Sequence, residues 1–182
     1  MHKLIVVDDE INVLNAIRRE LSFLTKAEDS AFKIQLACFT SPLEALLLAQ
    51  AEHVDLIISD YRMPEMNGVD FLREAKRLQP LAASIILSGQ ADMTAVLRAI
   101  NEVGIARYMA KPWDSVELIT HVLEVLADVS IKRENIRLAD EMRQLIHGFK
   151  MEADQLPTQM ENIVLGNDAL PENSSRHPEK DQ

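Results

Sequence analysis

Five short runs of aliphatic residues alternate with longer segments in which apolar residues recur every three or four positions. The aliphatic runs are typical of strands buried on both faces, and the recurring positions are typical of amphipathic helices. This alternation predicts a parallel sheet covered by helices and joined by right-handed crossovers. The predicted strands are Lys3–Val7, Ile34–Phe39, Leu56–Asp60, Ser84–Gly89 and Ala106–Ala110.

Capping residues predict where several of the helices begin. Ser41, followed by Pro42 and an acid in the first turn, predicts a helix that runs to about Ala51. Ser115 is expected to cap the helix after the fifth strand. Asp92 is expected to cap a helix after the fourth strand, and the apolar residues of that helix are Val96, Leu97 and Ile100.

The strand-then-helix unit repeats five times and accounts for residues 1–126. This repeat predicts an α/β domain with a doubly wound parallel sheet, (βα)5, of the flavodoxin-like order 2-1-3-4-5. In that order the winding reverses between strands one and three, and ligands bind at the carboxyl ends of the strands there. Asp8 and Asp9 follow strand one and Asp60 ends strand three, so the order brings three carboxylates together.

Each of these acids also has a plainer explanation when it is taken alone. Asp60 could cap the turn before Pro64, and Asp8 and Asp9 could cap the helix that follows them. Three carboxylates at one edge nevertheless repel one another, and a hard cation with oxygen ligands, of which Mg²⁺ is the usual one in cells, relieves that repulsion.

Two further strand ends carry groups that suit phosphate chemistry, Ser88 at the end of the fourth strand and Lys111 just after the fifth. A metal-bound aspartate that faces a phosphoryl group can act as a nucleophile and form an acyl phosphate. The Lys111 ammonium would then neutralise one phosphoryl oxygen, and the Ser88 hydroxyl would donate a hydrogen bond to another.

The first 126 or so residues resemble the receiver domain of two-component response regulators. The matching segments stand in order at the ends of the predicted strands: Ile5–Asp9, Ile58–Pro64, Met66–Gly68, Ser88–Gly89 and Tyr108–Pro112. The resemblance implies that Asp60 accepts a phosphoryl group from a phosphohistidine on a sensor histidine kinase or phosphotransfer protein.

The resemblance also implies the metal ligands of the site. Asp9, Asp60 and the main-chain carbonyl of Arg62 would hold Mg²⁺, and Asp8 would act through water.

A second set of roles concerns the response to phosphate. Lys111 would pair with the phosphoryl group, Ser88 would move toward it, and Tyr108 would turn inward to fill the space that Ser88 leaves. The bond between Lys111 and Pro112 would be cis.

A helical extension is predicted for residues 127–156, with a heptad-like stripe along one side. The extension would either pair with another helix as a coiled coil, in a possible homodimer, or fold back on the receiver. Gly148 and Pro157 are expected to end the regular helix, and residues 157–182 are predicted to form a short helix and a disordered acidic tail. The stripe residues are Ile131, Asn135, Leu138, Met142, Leu145 and Phe149.

Charge and composition narrow the classes of partner. The net charge is −10, and the 32 residues from Met151 hold seven acids and two bases, so no basic patch for DNA is expected. The five histidines are scattered, which argues against a transition-metal site, and Cys38 is expected to be a buried thiol. Apolar runs are all shorter than the roughly 18 residues that a membrane-spanning helix needs. The first residues lead directly into a predicted strand and do not have the pattern of a signal peptide. A cytoplasmic protein without a membrane partner is expected.

The sequence therefore predicts a response regulator that is not itself an enzyme beyond chemistry at Asp60, and that signals to a downstream protein through its C-terminal helix. One alternative is a receiver-like scaffold that works without phosphorylation. Another is a Mg²⁺-dependent phosphatase with an Asp nucleophile, which would want a second acid two residues later, where Arg62 stands.

Overall fold

A five-stranded parallel sheet in the order β2-β1-β3-β4-β5 forms the centre of the computed structural model in its described residues, which are 1–26, 32–89, 92 and 103–165. Helices flank the sheet, so the predicted α/β fold and its 2-1-3-4-5 order are confirmed. The elements are β1 His2–Val7, α1 Ile11–Glu20, α2 Ser22–Lys26, β2 Ile34–Phe39, α3 Pro42–Ala51, β3 Leu56–Asp60, α4 Gly68–Leu78, β4 Ala83–Gly89, β5 Arg107–Lys111 and α5 Ser115–Leu165.

Register aligns the carboxyl ends of the central strands. Val7 of β1 lies opposite Ser59 of β3, and Asp60 lies opposite Leu87 of β4. Ser88 then pairs with Ala110, and Gly89 with Lys111. The polar residues at or just after the ends of β1, β3, β4 and β5 therefore reach one edge of the sheet together.

Alternate residues of each strand pack on opposite faces, as the period of two in a strand requires. Leu4, Ile58 and Leu87 belong to a core that includes residues of α1 and α5, whereas Ile5 and Ile57 belong to a core that includes residues of α3 and α4. Each fully buried side chain of this type contributes about 1.5–3 kcal/mol relative to exposure. Two buried layers therefore fix the sheet from both sides.

Helices α3 and α5 begin close to the predicted positions, but the side chains that were expected to cap them do not do so. Asp114, and not Ser115, caps α5, because its Oδ1 accepts hydrogen bonds from the main-chain N–H groups of Val116 and Glu117 at 2.8 and 3.2 Å. Ser41 does stand at the start of α3, but its hydroxyl donates to Glu65 instead of capping the helix. The helical segment after β1 is divided at Leu21 into α1 and α2.

Helix α5 continues through Gly148 and Pro157, where the sequence predicted an end. A glycine inside a helix costs only about 1 kcal/mol relative to alanine, and Gly148 does not adopt a left-handed conformation. The predicted helix with Val96, Leu97 and Ile100 and the predicted tail after Leu165 lie outside the described residues.

The chain divides into two compact units, Met1–Glu134 and Asn135–Gln182. In the first unit, α5 contributes buried residues to the core, among them Leu118, Val122 and Leu126. The predicted boundaries at residues 126 and 156 remain predictions. No helix in the described part of the chain has the length and hydropathy that a bilayer crossing requires.

Candidate functional site

A pocket of about 350 Å³ opens at the carboxyl edge of the sheet. Its wall is formed by the carboxyl ends of β3, β4 and β5 and by the residues that follow β1, β3 and β4. The lining residues are Asp9 and Glu10 after β1, Asp60, Tyr61 and Arg62 at and after the end of β3, Ser88, Gly89 and Asp92 at and after the end of β4, and Lys111 at the end of β5. The sequence prediction placed reactive groups at this edge, and the structure brings most of them into one pocket.

Lys111 joins the two buried carboxylates of the site. Its Nζ lies 2.7 Å from Asp8 Oδ2 and 2.5 Å from Asp60 Oδ1. Asp8 is fully buried, and Asp60 is 5% exposed. The ammonium therefore offsets the mutual repulsion of two acids that water cannot screen.

Burial and pairing shift the pKa values of this group in opposite senses. Burial raises the pKa of Asp8, and the hydrogen bond from Lys111 lowers it only in part. Burial by itself would lower the pKa of Lys111, but its hydrogen bonds to Asp60 and Asp8 outweigh burial, so that pKa lies above the usual value. Lys111 is consequently a permanent cation at neutral pH.

The loop after β3 closes tightly on Asp60. The second carboxylate oxygen of Asp60, Oδ2, accepts a hydrogen bond from the main-chain N–H of Arg62 at 2.7 Å. The main-chain carbonyl of Asp60 accepts a hydrogen bond from the Ser59 hydroxyl at 2.8 Å. The Gly68 N–H donates to the Tyr61 carbonyl at 2.8 Å, and a Cβ on Gly68 would lie 2.0 Å from the Asp60 carbonyl oxygen. Only glycine fits at this close approach of two backbone segments.

Ser88 and Tyr108 lie on neighbouring strands. Ser88 is buried, and its hydroxyl donates to the Gly89 carbonyl at 3.2 Å. The Tyr108 hydroxyl is buried without a hydrogen-bond partner among the described residues. The Lys111–Pro112 peptide bond is cis, which is the isomer that the resemblance implies.

Arg62 and Asp92 form a contact across the pocket that sequence reasoning missed. Arg62 Nε donates to Asp92 Oδ2 at 2.7 Å and a terminal nitrogen donates to Oδ1 at 2.6 Å, so the pair is bidentate. This pairing raises the pKa of Arg62. The two residues are 30 positions apart, and the local pattern around Asp92 predicted only a helix cap.

Asp9 and Asp60 both line the pocket, and their carboxylate oxygens are the ligand type that Mg²⁺ prefers. Magnesium needs only one or two protein carboxylates, with water and phosphate oxygens in its other positions. Within the described ranges, no group of three or more acidic, histidine or cysteine side chains is arranged to hold a metal ion. The donor set fits Mg²⁺ by its oxygen chemistry, and the ligand set of Asp9, Asp60 and Arg62 remains a prediction.

A comparison with protein families identifies the family of the domain. Residues 4–123 match the response regulator receiver domain. The chain belongs to this family. The receiver is 34% identical over 139 residues to the hydrogenase transcriptional regulatory protein HoxA of Cupriavidus necator, a match that covers 76% of this chain and 27% of that protein.

Solved structures agree with the assignment to the receiver family. An uncharacterized protein from Neptuniibacter caesariensis is 33% identical with a TM-score of 0.67, and the match covers 75% of this chain and 95% of that one. The signal receiver domain of an HD domain-containing protein from Pseudomonas fluorescens Pf-5 is 30% identical with a TM-score of 0.65, and the match covers 73% of this chain and 92% of that domain. The chain spans about a quarter of the length of the first curated relatives that it matches.

Proposed function

We propose that this receiver accepts a phosphoryl group on Asp60 from a histidine kinase or phosphotransfer protein and signals by contact with another protein. The observation that carries the proposal is the position of Asp60. Its carboxylate is almost buried, lines an open pocket and forms an ion pair with Lys111. Asp60 in this position can react with a negatively charged phosphoryl group, because the Lys111 ammonium can turn from the carboxylate to the phosphoryl oxygens and neutralise them.

The transfer itself needs few protein groups. One oxygen of Asp60 forms a bond to phosphorus as the phosphorus–nitrogen bond of the donor phosphohistidine breaks, and the imidazole leaves with the bonding pair and takes up a proton from water. Lys111 neutralises charge on the phosphoryl oxygens, and Ser88 supplies a hydroxyl donor after it moves from the Gly89 carbonyl.

Asp9, Asp60 and the Arg62 carbonyl would hold Mg²⁺ in this proposal, and Asp8 would contribute through water. When bound, the ion neutralises phosphoryl oxygens and orients them toward the carboxylate. The pocket supports this role through the acids that line it, Asp9 and Asp60, while Asp8 stays in contact with Lys111.

Ser88 and Tyr108 are the proposed switch. Movement of Ser88 toward the phosphoryl group would vacate space beside β5, and the Tyr108 ring would occupy it. The unpartnered, buried hydroxyl of Tyr108 supports a side chain with a second position available, because an unmade hydrogen bond in the interior costs about 1–3 kcal/mol.

The proposed output is a change in protein contact through α5. Helix α5 packs in the receiver core and extends to Leu165. The proposal also includes a cytoplasmic location, no direct binding of DNA and no enzymatic step beyond Asp60. A phosphorylation-independent scaffold is the alternative, and a phosphatase is less well supported because the exposed, paired Arg62 stands where a second acid would be needed.

Intact-mass spectrometry tests the proposal. Wild-type protein with Mg²⁺ and a small-molecule phosphodonor is expected to gain the mass of one phosphoryl group, and Asp60→Asn is expected to gain none. Asp140→Asn, an exposed acid on α5, is the matched control and should be modified like the wild type. Unmodified wild-type protein would favour the scaffold, and steady turnover of a generic phosphate ester would favour the phosphatase.

A further inference from the structure

Five residues of the second unit form a stripe along α5. They are separated by three, four, three and four residues, which keeps them on one side of a helix with a seven-residue repeat. We call this set the seam: Asn135, Leu138, Met142, Leu145 and Phe149. In heptad terms Asn135, Met142 and Phe149 take the first core position (a), and Leu138 and Leu145 take the second (d).

The seam is apolar and exposed. Leu138 is 45% exposed, Met142 and Leu145 are 63% exposed, and Phe149 is 70% exposed. No side chain from Asn135 to Met151 is buried. A helical segment that buries no side chain gains little from propensity alone, so a partner for this face of the segment would supply the missing stabilisation.

Charged residues outside the seam pair along their own helix. Arg137 pairs with Glu141 one turn later, and Arg143 pairs with Asp140 at 2.5 Å. These charged side chains outside the seam are therefore paired with one another, whereas the seam itself carries no charge. The chemistry of the seam therefore fits another apolar helix face and does not fit a nucleic acid or an acidic peptide.

Asn135 identifies which helix fits and in which direction. In a parallel, in-register pair of identical helices, first core positions meet each other, so the Asn135 amides of two copies can hydrogen-bond. The parallel pair keeps all five layers, whereas an antiparallel pair can match only four seam residues. If Asn135 faces Leu145, the amide is unsatisfied and Phe149 lies outside the matched layers, and if Leu138 faces Phe149, Asn135 lies outside them.

Charge favours the same direction. Glu141 lies beside the seam and would face Ile146 of the other copy in the parallel pair. In the antiparallel pair that places Asn135 opposite Leu145, Glu141 would face its own equivalent. Like charges that face each other are destabilising, so this antiparallel register is disfavoured. The other antiparallel register leaves Asn135 outside the matched layers, so the parallel pair is favoured.

We propose that a second copy of this chain covers the seam, and that the two α5 helices form a parallel, in-register coiled coil beginning at Asn135. The proposal deepens the proposed output of α5 and rests on that role of the helix, but it does not depend on phosphate acceptance by Asp60.

Mass measurement by light scattering over a concentration series of the full chain tests the pairing. The wild type is expected at twice the 20.5 kDa chain mass. Leu145→Glu, which places a carboxylate in the seam, is expected to raise the dissociation constant roughly a hundredfold or more. Gln144→Glu makes the same charge change outside the seam and is expected to leave the dimer intact.

Disulfide trapping tests the direction. In a Cys38→Ala background, Asn135→Cys and Phe149→Cys are each expected to crosslink to the same position of the other copy under mild oxidation. Crosslinking that requires Asn135→Cys together with Leu145→Cys would show antiparallel helices and would overturn the proposal. A wild-type mass of one chain at every concentration would also overturn it, and if Asp60 still accepted phosphate, the phosphoacceptor assignment would stand without the dimer.

Discussion

Individual residues at the site are constrained by backbone proximity as much as by chemistry. Gly68 begins α4, yet its position is set by the Asp60 carbonyl, against which a Cβ would clash at 2.0 Å. Lys111 is constrained from two sides by Asp8 and Asp60. Substitutions at Gly68 and Lys111 should therefore affect both stability and the placement of the Asp60 carboxylate.

Gly68→Ala is expected to lower the free energy of unfolding by roughly 1–3 kcal/mol, because the loop must move to accommodate the added methyl group. Urea denaturation followed by circular dichroism measures this change. Gly148→Ala is the matched control, since a Cβ added at Gly148 would have nothing within 4 Å. That substitution is expected to stabilise the helix by up to about 1 kcal/mol, and equal losses for both variants would contradict the proposed clash.

Lys111→Met removes the cation between two buried carboxylates and is expected to cost roughly 2–4 kcal/mol near neutral pH. The Lys111 side chain is 21% exposed, so the lower part of that range applies. Urea denaturation at several pH values measures the cost.

The pH dependence of this deficit follows from the pKa directions. Burial raises the pKa of Asp8, so the folded state holds that proton more tightly than the unfolded state, and stability falls as pH rises from 3.8 through the raised value. Without Lys111 that fall is larger. The raised pKa of Lys111 means that its own contribution is complete below 10.5 and is lost as pH rises through the raised value. The deficit of Lys111→Met should thus be greater at about pH 7 than at about pH 4, and a pH-independent deficit would refute this role of Lys111.

At the scale of elements, the aliphatic runs predicted every strand of the sheet to within one residue at each end. Those runs work well because central parallel strands are buried on both faces and tolerate few polar residues. The end of α5 was predicted less well, because glycine and proline lower helix propensity without forbidding a helix. The Asp114 cap was missed because both Asp114 and Ser115 are good capping residues by composition.

Helix α5 is also tied to the opposite edge of the sheet within the first unit. A terminal nitrogen of Arg133 lies 2.5 Å from Asp55 Oδ1, and the other oxygen of this buried acid accepts the Lys3 N–H at 2.8 Å. The two ion-pair partners are far apart in the sequence, so no local pattern could predict the contact.

Arg133→Met is expected to destabilise the protein by roughly 1–3 kcal/mol, because Asp55 is left buried without its main cation. Thermal or urea unfolding measures the change. Arg143→Met, which removes an exposed arginine from the same helix, should change stability by less than about 0.5 kcal/mol. A comparable loss in both variants would show that the Asp55 contact adds nothing.

For the whole molecule, the sequence predicted the family and the reactive edge because the motif residues stand at the ends of successive strands. It did not predict the Arg62–Asp92 pair or the contact between Gly68 and Asp60, because these depend on how loops approach one another in space. The chain joins a receiver, in which Asp60 lies against Lys111, to a helix that has an exposed seam. We expect Asp60 to carry the phosphoryl group.

Borohydride reduction of the phosphorylated protein, followed by peptide sequencing in the mass spectrometer, tests that claim most directly, because reduction converts an acyl-phosphate aspartate to homoserine. Homoserine is expected at position 60 only after exposure to a phosphodonor and Mg²⁺. Homoserine at Asp8 or Asp9, or none at any position in protein that has gained phosphoryl mass, would contradict the claim.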